Sequence, residues 1–343
     1  MVKVGLLALA LAFAQSQPVQ PAPEPVRFTV AASGDFLIHT PVAARALALG
    51  GGATYDFAPL FDPVKKHIAG ADLALCHVET PLVPGPVQGY PSFRTPPALA
   101  RAIRKVGWDA CSTASNHTLD AGQYGIQTTL RALDRARIPH AGSARSAAER
   151  RRTAMLDVKG LKVAFLAYTA VSNGQLVPHP WSVNWASARR ILGDARRARS
   201  RGADLVIVNL HWGAEYVHEV TPEQRELARQ LTRSRAVDAI VGQHVHVVQP
   251  IRRVNGKPVA FGEGNLISNQ TAACCPAESQ DGLIALIDFV VPPGERPRAR
   301  RIRYVPTWVR HPDYSVLPAE PGSVPWQRTV SVAGRRPRIR PVR

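Results

Sequence analysis

Imidazole, carboxylate and amide side chains recur along the chain in five clusters, each directly after an apolar run. They are Gly34-Asp35 with His39, His77-Val78-Glu79, Ser115-Asn116-His117, His211 to Tyr216 with Glu215, and Gln243-His244-Val245-His246. Taken singly, each has an ordinary explanation: a strand-end Asp closes turns, Asn116 or Ser115 suits a helix N-cap, and an H-x-H pair can sit on a surface by chance. Five in succession at the same kind of position are hard to assign to capping alone. In extended backbone His77 and Glu79 point to one side, and so do His244 and His246, so each pair can share a cleft or an ion. The donors are nitrogen and oxygen without thiolate, a mixture that suits Mn, Fe or Zn better than a sulfur-rich structural site. More than four ligands are on offer, so two divalent ions held roughly 3.5–4 Å apart by a bridging carboxylate are the economical reading, with hydroxide activated between them.

The elements that must position these side chains are legible from periodicity. Short β-type runs at residues 28–33, 73–77, 110–114, 163–168, 205–210 and 237–242 alternate with helical patterns at 59–69, 98–106, 122–136, 187–201 and 222–233. That alternation predicts an α/β fold, in which ligands gather beyond the carboxyl ends of the strands. Residues 245–254, 258–262, 283–291 and 301–305 read as further strands without intervening helices, joined in part by a Val254-Asn255-Gly256-Lys257 hairpin turn, so the second half gains antiparallel character. Beyond Pro306 periodicity weakens. Residues 311–343 read as a basic, Pro/Arg-rich C-terminal extension after a catalytic domain at 27–310, wrapping the surface or without order from Gly322 on.

Composition bounds the partners. Lys plus Arg outnumber Asp plus Glu by 43 to 25, a formal charge of +18, concentrated in arginine runs at 145–152, 296–303 and 335–343. Such a surface attracts anionic polymers, phosphate esters, nucleic acid or acidic lipid. Nucleic acid is disfavoured, because no aromatic and basic stacking platform accompanies the charge. The apolar run at 4–14 ends in Ala12-Phe13-Ala14, a small-x-small cleavage pattern, so residues 1–14 read as a signal peptide and 15–26 as a Pro-rich linker. Export to the periplasm or medium is expected, with an uncleaved membrane anchor as the alternative. Cys76 and Cys111 fall in apolar runs and read as core thiols; Cys274 and Cys275 are adjacent, which disfavours pairing with each other.

Together these motifs resemble the CapA-type poly-γ-glutamate capsule proteins, a branch of the calcineurin-like metallophosphoesterase superfamily. The likeness rests on Gly34-Asp35-Phe36-Leu37-Ile38-His39, Glu79-Thr80-Pro81, Asn116-His117-Thr118-Leu119-Asp120-Ala121-Gly122, His211-Trp212-Gly213-Ala214-Glu215-Tyr216, His244-Val245-His246-Val247-Val248-Gln249, Gly264-Asn265 and Tyr304-Val305-Pro306-Thr307-Trp308. It implies a two-sheet α/β/β/α sandwich and a dinuclear centre with Asp35, Glu79, Asn116, His211, His244 and His246 as ligands, Glu79 bridging the ions. His39 is implied as an additional or supporting ligand. His117 takes the place of the histidine that contacts substrate and protonates the leaving group. His77, Glu215 and Asn265 are candidates for substrate contact, Glu215 also for orienting His211. Two departures stand out: His77 occupies a position where the family has Asn, and Gln243-His244-Val245-His246 replaces a run of His-His-Pro-His. The implied activity is hydrolysis of an anionic ester or polymer linked to capsule synthesis; the alternative is a non-catalytic polyglutamate-binding component working with membrane-associated capsule machinery.

Overall fold

The computed structural model describes residues 1–2 and 24–342; residues 3–14 of the expected signal peptide, most of the Pro-rich linker and Arg343 lie outside the described residues. Among the described residues fifteen strands form two sheets. Strands β1 (Val26–Phe36), β2 (Leu73–Val78), β3 (Ala110–Ser112) and β4 (His140–Ala141) run parallel and alternate with α1 (Thr40–Leu49), α2 (Lys65–Ala69), α3 (Ala98–Val106) and α4 (Gly122–Arg135). After the short α5 (Ala147–Arg150) the chain builds the second sheet: β5 (Ala154–Val158), β6 (Leu161–Thr169), β7 (Leu205–His211), β8 (Ala239–Gln243), β9 (Ile251–Val254) and β10 (Lys257–Ala260), with α6 (Ala188–Ser200) and α7 (Pro222–Arg233) between strands. It then returns to the first sheet with β11 (Asn265–Ile267), β12 (Asp281–Val291), β13 (Arg298–Arg310), β14 (Ser315–Pro318), α8 (Val324–Ala333) and β15 (Ile339–Pro341).

Side-chain alternation explains the layering. In β1, Val30 and Ala32 face the second sheet and meet Phe165, Ile207 and Val241, whereas Ala31 faces outward to Val42, Ala46 and Ile103 of α1 and α3. In β7, Leu205 and Ile207 point inward, while Val206 and Val208 pack on Ile191, Ala195 and Ala228 of α6 and α7. The result is helix, sheet, sheet, helix, as the resemblance implies.

Several boundaries differ from the sequence reading. The strand expected over 245–254 is confined to β9, because His244 and His246 take φ of 97° and 58°, left-handed backbone that ends the extended run. The C-terminal residues add two strands and a helix to the sheet: Val316, Ala333 and Ile339 are buried, and Arg328 of α8 grips the buried Asp281 with two hydrogen bonds of 2.6 and 2.8 Å. Weak periodicity hid this, since each piece buries only one or two side chains. Cys76 and Cys111 sit opposite each other in the β2–β3 register, 4.5 Å apart at Cα, and are joined as a disulfide rather than lying as free core thiols. Cys274 and Cys275 are bonded to each other, contrary to expectation.

Candidate metal centre

Every expected ligand strand ends at the same edge of the sandwich. Asp35 is the penultimate residue of β1 and Glu79 follows β2 directly, while Asn116 and His117 lie in the turn between β3 and α4, His211 closes β7, and His244 follows β8. The first four come from one sheet and His211 and His244 from the other, so the centre spans the gap between sheets. Gly34 permits a close backbone approach at this edge: a Cβ there would sit 1.9 Å from the Gly264 carbonyl oxygen, which accepts from the Asp35 amide at 3.0 Å.

The side chains converge. His77 Nε2 lies 3.6 Å from Asp35 Oδ1 and 3.0 Å from His211 Nδ1, and His211 Nε2 lies 2.8 Å from Asn116 Oδ1. His246 Nδ1 is 3.4 Å from Asp35 Oδ2, and its Nε2 is 3.8 Å from Glu79 Oε1. Two groups therefore offer ligand atoms within 4.8 Å of one another: Asp35, His77 and His211, and Asp35, Glu79 and His246. Asp35 is common to both; Glu79, which the resemblance puts in the bridging place, belongs to one. The His244 ring packs 4.6 Å from that of His211, and its backbone amide donates to Asp35. His244 and His246 thus do not lie on one face of an extended strand. Through their left-handed turn His246 joins the second group, while His244 belongs to neither.

Charge in this pocket is short of a cation. Burial, reinforced by the Asp35 charge, pushes the Glu79 carboxyl well above its ordinary range, and both of its oxygens are buried without a hydrogen-bond partner. His77 Nδ1 and His244 Nδ1 are orphaned in the same way. Burial, against the pull of Asp35, lowers His77 to about 4, and burial with the neighbouring His246 lowers His244 to about 3. Burial and the rings of His244 and His77 hold His211 well below 6.5. His246 goes the other way: burial opposes its charge, but Glu79 and Asp35 keep it protonated up to about 9. Neutral imidazoles at His77, His211 and His244, with the unpartnered oxygens of Glu79 and the unspent Nδ1 lone pairs of His77 and His244, fit divalent cations, and a cation there would take the place of the His246 proton.

The remaining candidates take other stations. His117 is at the mouth, its Nδ1 held 2.8 Å from Asp120 Oδ2 and its ring edge-on to Phe93 at 4.7 Å. His39 stacks edge-on against the same Phe93, and its Nδ1 accepts from the Asn269 amide at 3.1 Å, so the structure gives it no place in either ligand group. Asn265 is fully buried; its Oδ1 lies 3.0 Å from His246 Nδ1 and its amide donates to Gln270 and the Ser279 carbonyl, so it orients His246. Glu215 is exposed on the loop after β7 and is not among the partners of His211, which are His77 and Asn116. The sequence reading missed Asn173, which accepts from Asn116 at 3.1 Å and lies 3.4 Å from His117 Nδ1. Its signal was available: it lies four residues past β6, in a loop at the same edge as the other five clusters.

This arrangement defines a calcineurin-like metallophosphoesterase fold. Among solved structures, the calcineurin-like phosphoesterase YfkN of Bacillus subtilis superposes with a TM-score of 0.51 at 14% identity, covering 82% of this chain and 91% of that one. A phosphatase of Mycoplasma pneumoniae gives 0.50 at 12% identity, covering 85% and 97%. The chain itself belongs to the bacterial capsule synthesis protein family PGA_cap, whose model matches residues 29–270. It is similar to the capsule biosynthesis protein CapA of Bacillus anthracis, 29% identical over 50% of this chain and 42% of that protein. A probable polyglutamine synthesis accessory protein of Mycobacterium tuberculosis is 26% identical over 52% of this chain and 50% of its own length. The match thus spans about half the length of these relatives.

Proposed function

We propose that the chain is an exported metal-dependent hydrolase of an anionic ester or polymer, with two divalent ions at the strand ends as its active centre. The observation that carries this reading is Glu79: a buried carboxylate with both oxygens unpartnered, beside Asp35 and three buried histidines. Divalent ions bound there supply Lewis acidity toward water and the scissile group. The chain does the rest. His117, fixed through Nδ1 by Asp120, keeps its other ring nitrogen for a leaving-group oxygen. Asn173 braces both Asn116 and His117, and Phe93 shields one edge of the His117 ring from water. The +18 surface raises the local concentration of an anionic substrate. The test is hydrolysis of p-nitrophenyl phosphate mono- and diesters by protein of verified Mn or Zn content. Turnover is expected, falling roughly 10²–10⁴-fold in His117→Ala at unchanged metal content; silence from fully loaded protein with every metal tried overturns hydrolysis.

A second reading is favoured by the family description and the charge: a polyglutamate-binding component of capsule assembly or export, working with a membrane-associated synthase, in which the metal centre holds carboxylates without turnover. Metal-dependent retention on immobilised poly-γ-glutamate, with the polymer recovered uncut, separates this reading from the first.

A further inference from the structure

The two arginine runs at 296–303 and 335–343, far apart in sequence, are brought side by side by the parallel pairing of β13 with β15, in which Ile302 meets Ile339 and Arg303 meets Arg340. A register shift between Asp288 and Phe289 of β12 pairs Asp288 with Arg301 and Phe289 with Ala299, leaving Arg300 as the extra residue of a bulge. The bulge re-aims the strand, and Arg300 and Arg301 are both exposed, where regular alternation would have turned one inward. Arg27, at the start of β1, joins them. Together Arg27, Arg298, Arg300, Arg301, Arg303 and Arg338 line an open cleft of about 730 Å³ that contains only two carboxylates, Asp72 and Asp288. Asp288 is taken up by Arg301 and Arg303, Asp72 by Lys159, and Arg298 pairs with Glu295 at the rim. Among the described residues Arg27, Arg300 and Arg338 have no carboxylate partner, and all three are exposed.

The position of this face selects its partner. It lies at the start of β1, eight residues and about 26 Å of strand from Asp35, so it takes no part in the metal centre. The chain enters β1 through Glu24 and Pro25 at this same end. Eleven residues, 15–25, separate that entry from the apolar run at 4–14, a covalent reach of at most about 40 Å. A membrane-held run would thus keep the arginine face near the bilayer and leave the metal centre directed away from it. A guanidinium forks onto phosphate oxygens in a fixed geometry, which three uncompensated arginines in one open cleft repeat.

We propose that the Arg27–Arg300–Arg338 face docks on the phosphates of an anionic phospholipid surface. This is independent of what the metal centre does. The test is partition of the full chain onto vesicles of equal parts phosphatidylglycerol and phosphatidylcholine, against vesicles of phosphatidylcholine alone; the difference isolates the anionic contribution from any insertion of the apolar run. Each arginine near such a surface contributes about fivefold, so R27A/R300A/R338A is expected to lose on the order of 100-fold of that difference. The charge-matched variant R137A/R151A/R152A, whose exposed arginines lie around another cleft, is expected to lose much less. Equal losses in both variants, or none in either, overturn the proposal. So does displacement of the unaltered chain from anionic vesicles by soluble poly-γ-glutamate that is itself retained only through Arg27, Arg300 and Arg338, which makes the polymer the occupant. Unchanged far-ultraviolet dichroism confirms that the exposed substitutions leave the fold intact.

Discussion

At the scale of single residues, Asp35 is the hinge of the centre because it alone belongs to both ligand groups. Asp35→Asn is therefore expected to abolish binding at both positions, whereas Glu79→Gln empties one and retains the other; metal content per chain by elemental analysis distinguishes them. Replacing His77 by Ala should weaken the position it shares with His211 by about 10–100-fold while sparing the other. A pH dependence follows from the same residues. In metal-free protein, His77 at about 4 and His244 at about 3 bind fewer protons folded than unfolded, so their stabilisation is complete above the unfolded value near 6.5 and is lost as pH falls toward 4. His246, raised to about 9, acts in the opposite sense: its contribution is complete below about 6.5 and is lost as pH rises through 9. Thermal unfolding of metal-free protein should therefore show a maximum between those limits, with a falling midpoint on the acid side. Most of these residues could be named from the sequence because donor type and strand-end position are local properties. Which donors lie closest together could not, since His244 and His246 adopt left-handed backbone that breaks the alternation an H-x-H pair suggests.

At the scale of elements, the centre depends on how tightly β1 lies against the return of the chain at Gly264. Gly34→Ala would drive its Cβ into the Gly264 carbonyl, and the two backbones have to separate. A loss of roughly 1–3 kcal/mol in denaturant unfolding is expected, together with weaker metal binding, because Asp35 moves with the strand. The C-terminal helix offers a second test. Asp281 is buried, burial raises its carboxyl above the ordinary range, and Arg328 holds it against that tendency. Arg328→Ala should cost about 2 kcal/mol, below the full 3–5 kcal/mol of a dry pair because Arg328 is part-exposed. Apart from β4 and α1, the parallel strands that carry the ligands and the helices between them were visible as alternating periods of two and 3.6. Among the strands that were missed, β4, β14 and β15 are two to four residues long, too short for any period to register, and are held by pairing with strands distant in sequence; the ten-residue helices α1 and α8 were missed as well, each burying only two or three side chains.

At the scale of the whole molecule, the ligands are divided between the two halves of the sandwich, Asp35, His77, Glu79 and Asn116 on one sheet and His211, His244 and His246 on or beside the other. Without an ion, the halves are tied at this edge by the His77–His211 contact, the Asn116–His211 contact and the His244 amide on Asp35. A cation held by donors from both sides acts as a rivet through two plates. Loading it should slow amide hydrogen exchange at the ends of β2 and β7 together, although no backbone bond joins those strands, and chelation should release both at once. The occupancy of a few cubic ångströms would then set how freely the two layers slide past each other, and the opening motions of the empty protein would be those of a book whose clasp has been undone.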